Sequence, residues 1–161
     1  TASDFIGTER PMSRQPLPTP VRLLGPAGIL PQAICVAMAV FLPEHRILAG
    51  IAGGLYAALI LSFLGGLWWM EALVRGDRRA TPYVVAVLPS LIGWAAWLAP
   101  LVGLMGMAGA LMVLGIVILI SPVADKAIGR LASEMPGWWR LRWVLSIGLG
   151  GLTLLLGIMM A

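Results

Sequence analysis

Residues 80–121 form one apolar run that contains no charged side chain. A helix needs about 20 apolar residues to cross the hydrocarbon core of a bilayer, so this run is too long for one crossing and long enough for two. Pro100, Gly103 and Gly106 lie near its middle and are typical of a turn. The run therefore predicts two transmembrane helices joined by a short connection.

The rest of the chain follows the same pattern, because 60% of its 161 residues are hydrophobic, only 11% are charged and the mean hydropathy is +0.95. This composition is typical of membrane proteins. The sequence predicts an all-α integral membrane protein, a five-transmembrane-helix bundle. The spans are predicted at about 23–42, 47–70, 82–100, 103–121 and 143–161. Residues 1–22 are rich in proline and predict a flexible N-terminal tail, and residues 23–161 predict a single transmembrane domain.

The basic side chains predict the orientation of the bundle, since lysine and arginine near the spans are retained on the cytoplasmic side. Ten of the eleven basic residues fall in the tail and in the second and fourth connections, and only Arg46 falls on the other side. We expect the N-terminus inside and the C-terminus outside. The excess of arginine over lysine favours a GC-rich bacterial genome as the source of this multi-pass membrane protein. Nucleic acid is excluded as a partner because the basic residues lie in short segments between apolar spans.

The connection at 121–142 has two interpretations. Lys126 and Arg130 recur at helical spacing, with apolar Ile128 and Leu131 on another side. This spacing is typical of a short interfacial helix on the inner surface, between helices 4 and 5. An ordinary polar loop is the alternative.

The second span carries small residues four positions apart, and a glycine pair extends the row. Such a small-xxx-small surface lets another backbone approach closely, and close packing drives helix association in lipid. We therefore expect this span to be the centre of the bundle. The predicted helix-packing residues are Gly50, Gly54, Ala58, Ser62, Gly65 and Gly66.

Two prolines inside spans predict kinks that could line a binding cavity. Pro89 frees the carbonyl of Val85, which Ser90 or a neighbouring helix could satisfy, and Pro31 frees the carbonyl of Ala27. The candidate ligand- or partner-binding residues are Gln32, Tyr56, Ser62, Trp69, Pro89, Ser90 and Trp94. A tolerated kink and a belt of interfacial tryptophans are the simpler interpretations.

The predicted spans contain no Asp, Glu, Lys, Arg or His, which argues against a proton relay, an ion-coupled transporter or an intramembrane protease. The single histidine, His45, lies in the first connection and cannot supply a multi-histidine metal site. Asp77 with Arg75, Arg78 and Arg79 could bind a lipid headgroup, although membrane insertion alone requires a basic cytoplasmic loop. We therefore predict no enzyme, no cofactor and no metal site.

Four segments of the chain resemble the transmembrane protein 69-like family, domain of unknown function 3429. They are "LGPAGILP" at 24–31, "YAALILSFLGGLWW" at 56–69, "LPSLIGW" at 88–94 and "LRWVLS" at 141–146. The resemblance covers nearly the whole chain beyond the tail, and the middle two segments are the specific ones. It implies a helical inner-membrane protein of bacteria or mitochondria and implies no established activity.

Two functions remain open at this point. The first is a non-enzymatic accessory or assembly subunit that packs against a larger membrane complex, with a respiratory complex suggested by the family's mitochondrial members. The alternative is a binding protein or small transporter for a neutral lipophilic ligand such as a quinone or lipid, centred on Gln32, Ser62, Ser90 and Trp94. Besides the lipid bilayer, the expected partner is another membrane protein or a second copy of the chain.

Overall fold

A computed structural model describes residues 18–128 and 137–161, and the regular secondary structure in these ranges is helical. The helices are α1 (Thr19–Ala27), α2 (Leu30–Phe41), α3 (Arg46–Val74), α4 (Ala80–Leu101), α5 (Met107–Ile128) and α6 (Trp138–Met159), with a short 3₁₀ turn at Pro43–His45. Together they provide five segments long and apolar enough to cross a membrane. The predicted fold class, an all-α protein with five membrane spans, is confirmed.

The first span is two helices rather than one kinked helix. It is interrupted at Gly28 and Ile29, and α2 begins at Leu30 with Pro31 in its first turn. Proline is tolerated there because the first turn of a helix has no internal partner for its N–H groups. Since Pro31 cannot donate to the carbonyl of Ala27, the chain ends one helix and starts another at the predicted position.

Helices α3 and α4 each end at a glycine before a tight connection. Gly103 follows α4 with a φ of 73°, and the N–H of Leu104 donates to the carbonyl of Ala99 at 2.9 Å. This pattern is a Schellman motif, which favours glycine because of the positive φ. Gly76 ends α3 in the same way with a φ of 63°. These connections return the chain directly, so that α3 and α4 pack side by side.

Helix α3 is the centre of the described bundle, since α2, α4, α5 and α6 all pack against it. Its inner face places Ala57, Leu61 and Leu64 in a core shared with Leu114 of α5 and Leu149 of α6. Small residues on this face allow the neighbouring helices to approach closely, in the way predicted for the second span.

Helices α5 and α6 form the other close pair. An added Cβ at Gly150 would lie 2.9 Å from the carbonyl oxygen of Gly115, and one at Gly115 would lie 3.0 Å from the carbonyl oxygen of Gly150. The two backbones are therefore in contact at this crossing. Side chains larger than glycine would hold the helices apart.

Several predicted boundaries differ from the structure, and three of these differences concern the predicted tail and the predicted interfacial helix. Helix α1 begins at Thr19, inside the predicted tail, and residues 1–17 lie outside the described residues. Helix α5 continues to Ile128, so the first part of the predicted interfacial helix belongs to a spanning helix. Helix α6 begins earlier than predicted, at Trp138, and the remainder of the interfacial helix falls on 129–136, outside the described residues.

Helix α5 passes through Pro122 without ending because a neighbouring hydroxyl replaces the missing donor. Proline at this position leaves the carbonyl of Ile118 without its helical N–H. The hydroxyl of Ser121 donates to that carbonyl at 2.8 Å. In a bilayer such a substitute is needed, since water is not there to satisfy the carbonyl. The helix can then carry its last turns, including Asp125, beyond the predicted end of the span.

Candidate functional site

The α3–α4 seam is a row of small residues on two antiparallel helices. An added Cβ at Gly65 would lie 2.2 Å from the carbonyl oxygen of Ala86, and one at Gly93 would lie 3.3 Å from the carbonyl oxygen of Ala58. Both contacts are with backbone, which cannot rotate away as a side chain can. The seam therefore requires glycine at Gly65 and tolerates little more than glycine at Gly93.

The same row of small residues continues toward the N-terminal end of α3. At Gly54 an added Cβ would lie 2.2 Å from the indole of Trp97, and at Gly50 it would lie 2.7 Å from the Sδ of Met107 and 2.9 Å from the Sδ of Met160. Predicted packing residues therefore contact α4, the start of α5 and the end of α6. Glycine at these positions makes room for large side chains rather than for another backbone.

A polar pair lies on the outer surface of the seam. The hydroxyl of Ser90 donates to the hydroxyl oxygen of Ser62 at 3.2 Å, and the pair is exposed. Gly66, one turn from Ser62, has no atom within 4 Å of an added Cβ. Trp94, one turn from Ser90, is 66% exposed. We call these four residues the α3–α4 patch; it lies near the middle of two apolar helices.

A buried amide lies elsewhere in the bundle, between α2, α3 and α6. Gln32 is fully buried, and neither Nε2 nor Oε1 has a hydrogen-bond partner among the described residues. Its Nε2 would lie 3.2 Å from a Cβ added at Gly53, and Leu156 would contact the same Cβ. Gly53 is nine residues from Ser62, or about 13 Å along a helix with a rise of 1.5 Å per residue. The structure thus separates Gln32 from the serine pair that was predicted to share its pocket.

The break in the first span is held by Tyr56. Its hydroxyl donates to the carbonyl oxygen of Gly28 at 2.5 Å, across the boundary between α1 and α2. Tyr56 is one turn along α3 from Gly53, so the residues that contact the break and the buried amide come from the same part of α3. The first span is thereby anchored to α3 by a side chain as well as by packing.

A buried ionic cluster joins α3, α5 and α6. The guanidinium of Arg142 donates through Nε to Oδ2 of Asp125, and Nη2 donates to the other carboxylate oxygen at 3.3 Å. The indole N–H of Trp68 donates to the same carboxylate. Arg142 also donates to the hydroxyl of Ser121 at 3.3 Å, and that hydroxyl lies 3.2 Å from the hydroxyl of Ser146. Every one of these residues is buried.

Two arginines of the basic connection between α3 and α4 form hydrogen bonds to other residues of the chain. Arg79 binds both carboxylate oxygens of Asp77, at 3.0 and 2.7 Å. These hydrogen bonds from the Arg79 side chain, with a further one from its backbone N–H, lower the pKa of Asp77 well below its ordinary value. Arg75 pairs with Glu71 at 3.2 Å and donates to the carbonyl of Ile128 at 3.0 Å. Arg75 and Arg79 are therefore paired with carboxylates of the chain, which leaves them less available to bind an anionic headgroup.

A family model described as "Protein of unknown function (DUF3429)" matches residues 17–159. The match extends over nearly the whole bundle. The chain belongs to the DUF3429 family. No curated protein and no solved structure matches it. The five spans make this DUF3429 member a multi-pass membrane protein.

The remaining predicted site residues of this DUF3429 protein have ordinary structural positions. Trp69 is 42% exposed and packs edge to face against Tyr83, with ring centroids 5.1 Å apart. Pro89 is buried inside a continuous α4. Ser90, predicted as one possible donor to the carbonyl freed by Pro89, donates across to Ser62 instead. Among the described residues, no three His, Cys, Asp or Glu side chains lie together as candidate metal ligands.

The ionic cluster of the DUF3429 bundle was missed in the sequence because charged residues were taken to end the spans. A signal was nevertheless present. Ser121 and Asp125 are four residues apart, as are Arg142 and Ser146, so each pair lies on one face of a helix. Two antiparallel helices with these faces opposed bring opposite charges together at one end and the two hydroxyls together one turn further in.

Proposed function

We propose that this DUF3429 protein is a non-enzymatic accessory or assembly subunit of a larger complex in the bacterial inner membrane. The α3–α4 patch is the surface that packs against the partner. The supporting observation is the exposed hydrogen bond between Ser62 and Ser90 near the middle of two apolar helices. Exposed apolar residues are ordinary in lipid, whereas an exposed hydroxyl pair at this depth is not.

The chemistry of the patch suits another transmembrane helix. Serine hydroxyls can form hydrogen bonds between helices in a bilayer, and Ser62 with Gly66 repeats the small-xxx-small spacing that allows close approach. The two adjacent glycines of this segment have different surroundings. Gly65 packs against α4 inside the chain, whereas Gly66 faces open space. A partner can therefore pack on Ser62 and Gly66 without any change in the contact between Gly65 and α4.

The burial of the spans leaves α4 at the periphery of the bundle, where a partner can reach it. Only 28% of the apolar window of α4 and 22% of that of the first span are buried, compared with 39% in each of the other three spans. These two segments are the periphery of the bundle. A partner seated on α4 would also cover Trp94, a large aromatic of the kind enriched at protein interfaces.

The first experiment is extraction from the native membrane at native expression in a mild detergent, followed by a native gel and mass spectrometry of the co-migrating band. We expect a partner in stoichiometric amount. The resemblance to mitochondrial inner-membrane proteins makes respiratory complexes the first bands to compare. A chain that migrates alone, or with copies of itself only, contradicts the proposal.

Two glycine variants provide a matched test of the surface. Gly66 and Gly151 both have no atom within 4 Å of an added Cβ, and they lie on different helices, α3 and α6. Gly66→Leu should abolish co-migration of the partner, and Gly151→Leu should leave it unchanged. Equal behaviour of the two variants would remove the α3–α4 patch from the proposal.

The second candidate function is binding or transport of a neutral lipophilic ligand at the same patch. It is favoured by Trp94, which lies exposed one turn from the Ser62–Ser90 pair and could stack on a flat ring while a hydroxyl binds its carbonyl oxygen. Lipid and quinone analysis of the purified chain tests it. A quinone that is retained by the unmodified chain and lost in Ser90→Ala supports this function, and equal retention opposes it.

A further inference from the structure

The side-chain amide of Gln32 forms no hydrogen bond with the described residues. Its amide can donate through Nε2 and accept through Oε1, and both atoms are fully buried without a partner among the described residues. Burying such a group without compensation costs several kcal/mol in hydrocarbon. Because α2 is otherwise apolar around it, a methionine or leucine would satisfy packing alone. The amide is best explained by a group that it binds.

The space around the amide limits the size of that group. On the side of α3, a Cβ added at Gly53 would lie 3.2 Å from Nε2 and only 2.4 Å from Cδ2 of Leu156. Cys35 approaches the same position at 3.4 Å. The packing here leaves no room for even one added methyl group. Neither a quinone ring nor a hydroxyl oxygen, which is about as large as a methyl group, fits between the amide and Gly53, so the group that the amide binds lies on another side of it.

The neighbouring backbone makes this part of the bundle polar. Pro31 cannot donate to the carbonyl of Ala27, and the break between α1 and α2 follows immediately after that residue. Tyr56 already donates a hydroxyl to the break, at the carbonyl of Gly28. Freed backbone groups in membrane helices are commonly satisfied by ordered water or by hydroxyl groups. The break thus lies one turn from the unpaired amide and shares its need for a polar partner.

We infer that Gln32 is the binding site for one hydroxyl oxygen, which accepts a hydrogen bond from Nε2 and donates one to Oε1. Water and the hydroxyl group of a lipid have this chemistry in common. A ketone or ester oxygen can only accept, so it would leave Oε1 unpaired. The site is independent of the proposed partner surface, because Gln32 lies at α2, α3 and α6 and the patch lies on α3 and α4.

The sequence allows a direct test, since the chain contains only two side-chain amides, Gln15 and Gln32, and no asparagine. The isolated chain is labelled with glutamine carrying ¹⁵N in the side chain and placed in nanodiscs of phosphatidylcholine, whose headgroup has no hydroxyl. Water-edited NMR then measures magnetisation transfer to each amide. Gln15→Met leaves the Gln32 signal alone, and Gln32→Met removes it, so the assignment does not depend on one variant.

We expect the Gln32 amide protons to receive magnetisation from water in phosphatidylcholine alone, which identifies water as the ligand. If transfer to a lipid proton appears only after diacylglycerol is added, the ligand is a lipid hydroxyl. A Gln32 amide that shows neither contact, with proton shifts of an unbonded amide, overturns the inference. The result does not depend on any partner protein, so it is distinguishable from failure of the proposed function.

Discussion

Asp125 of α5 and Arg142 of α6 form an ion pair inside the helix bundle, where they are 7% and 4% exposed. A single charge at the centre of a membrane helix costs about 2.5 to 3.5 kcal/mol even on the lenient insertion scale, and less toward the helix ends, where these two residues lie. Pairing the two charges offsets this cost, and the hydrogen bond from Trp68 satisfies a further lone pair of the carboxylate. The bundle is therefore joined at this end by charge as well as by packing.

Removing one member of the pair should be far more damaging than removing both. Asp125→Leu leaves the Arg142 guanidinium buried without its counter-charge, and we expect the free energy of unfolding to fall by about 3 to 5 kcal/mol. The double variant Asp125→Leu with Arg142→Met should recover most of that loss. Denaturation in mixed micelles measures both. Lys126→Leu, an exposed neighbour, is the control and should change little. Losses that simply add in the double variant would contradict a coupled pair.

Trp68 should contribute through its N–H as well as through its ring. Trp68→Phe keeps an aromatic ring but removes the hydrogen bond to Asp125, and a bond to a charged group is worth about 1.5 to 3 kcal/mol. The same substitution in the Asp125→Leu background should cost much less, because the acceptor is gone. Trp69→Phe is the adjacent control, since Trp69 is partly exposed and packs on Tyr83. Equal costs in both backgrounds would assign Trp68 to packing alone.

The number of spans could be predicted because it depends on one physical quantity, the length of apolar sequence needed to cross a bilayer. The ends of the spans could not. Asp125 and Arg142 were placed outside the bundle by their charge, yet each offsets the other inside it. Whether a charge ends a span or lies within the bundle depends on what the neighbouring helix presents, which no single segment reveals.

The two serine–proline pairs illustrate the same limit locally. Ser121 precedes its proline and donates to the carbonyl that Pro122 leaves free, which local geometry alone could have predicted. Ser90 follows Pro89 and donates instead to Ser62 on another helix. The partner of Ser90 depends on the register of α3 against α4, and that register is fixed by the glycines of the seam.

The glycine pair of α3 predicts opposite outcomes for two adjacent substitutions. Gly65→Ala would place a Cβ 2.2 Å from the carbonyl of Ala86, and overpacking of this kind costs about 1 to 3 kcal/mol. Gly66→Ala meets open space and should leave stability unchanged or raise it by about 0.5 to 1 kcal/mol through helix propensity. Unfolding of the purified variants in detergent measures the difference. Similar losses for both would mean that α3 and α4 do not pack in this register.

Asp77 should remain charged in acid that protonates ordinary aspartates. Its pKa is lowered chiefly by the side-chain hydrogen bonds from Arg79, so the pair stabilises the folded loop above the unfolded pKa of about 3.9, and this contribution is lost as the pH falls through the lower folded pKa. We expect the Asp77 carboxyl carbon to show little change by NMR down to about pH 3. In Arg79→Gln its titration should move up toward the ordinary range, and an unchanged titration would contradict the pairing.

The orientation of the bundle is a prediction from its basic residues, and the chain is well suited to test it because Cys35 is its only cysteine and is buried. In a Cys35→Ala background, Arg78→Cys reports on the α3–α4 connection, and Glu44→Cys and Ala161→Cys report on the opposite side. A membrane-impermeant maleimide should label the latter two in cells whose inner membrane is intact, and should label Arg78→Cys only after that membrane is opened.

The physical reason is that arginine near a span resists translocation, and Arg75, Arg78 and Arg79 lie together in that connection. Pairing of Arg79 with Asp77 does not weaken this expectation, since acidic residues contribute little to the rule. The reverse labelling pattern would place ten of the eleven basic residues outside and would require a different determinant of topology.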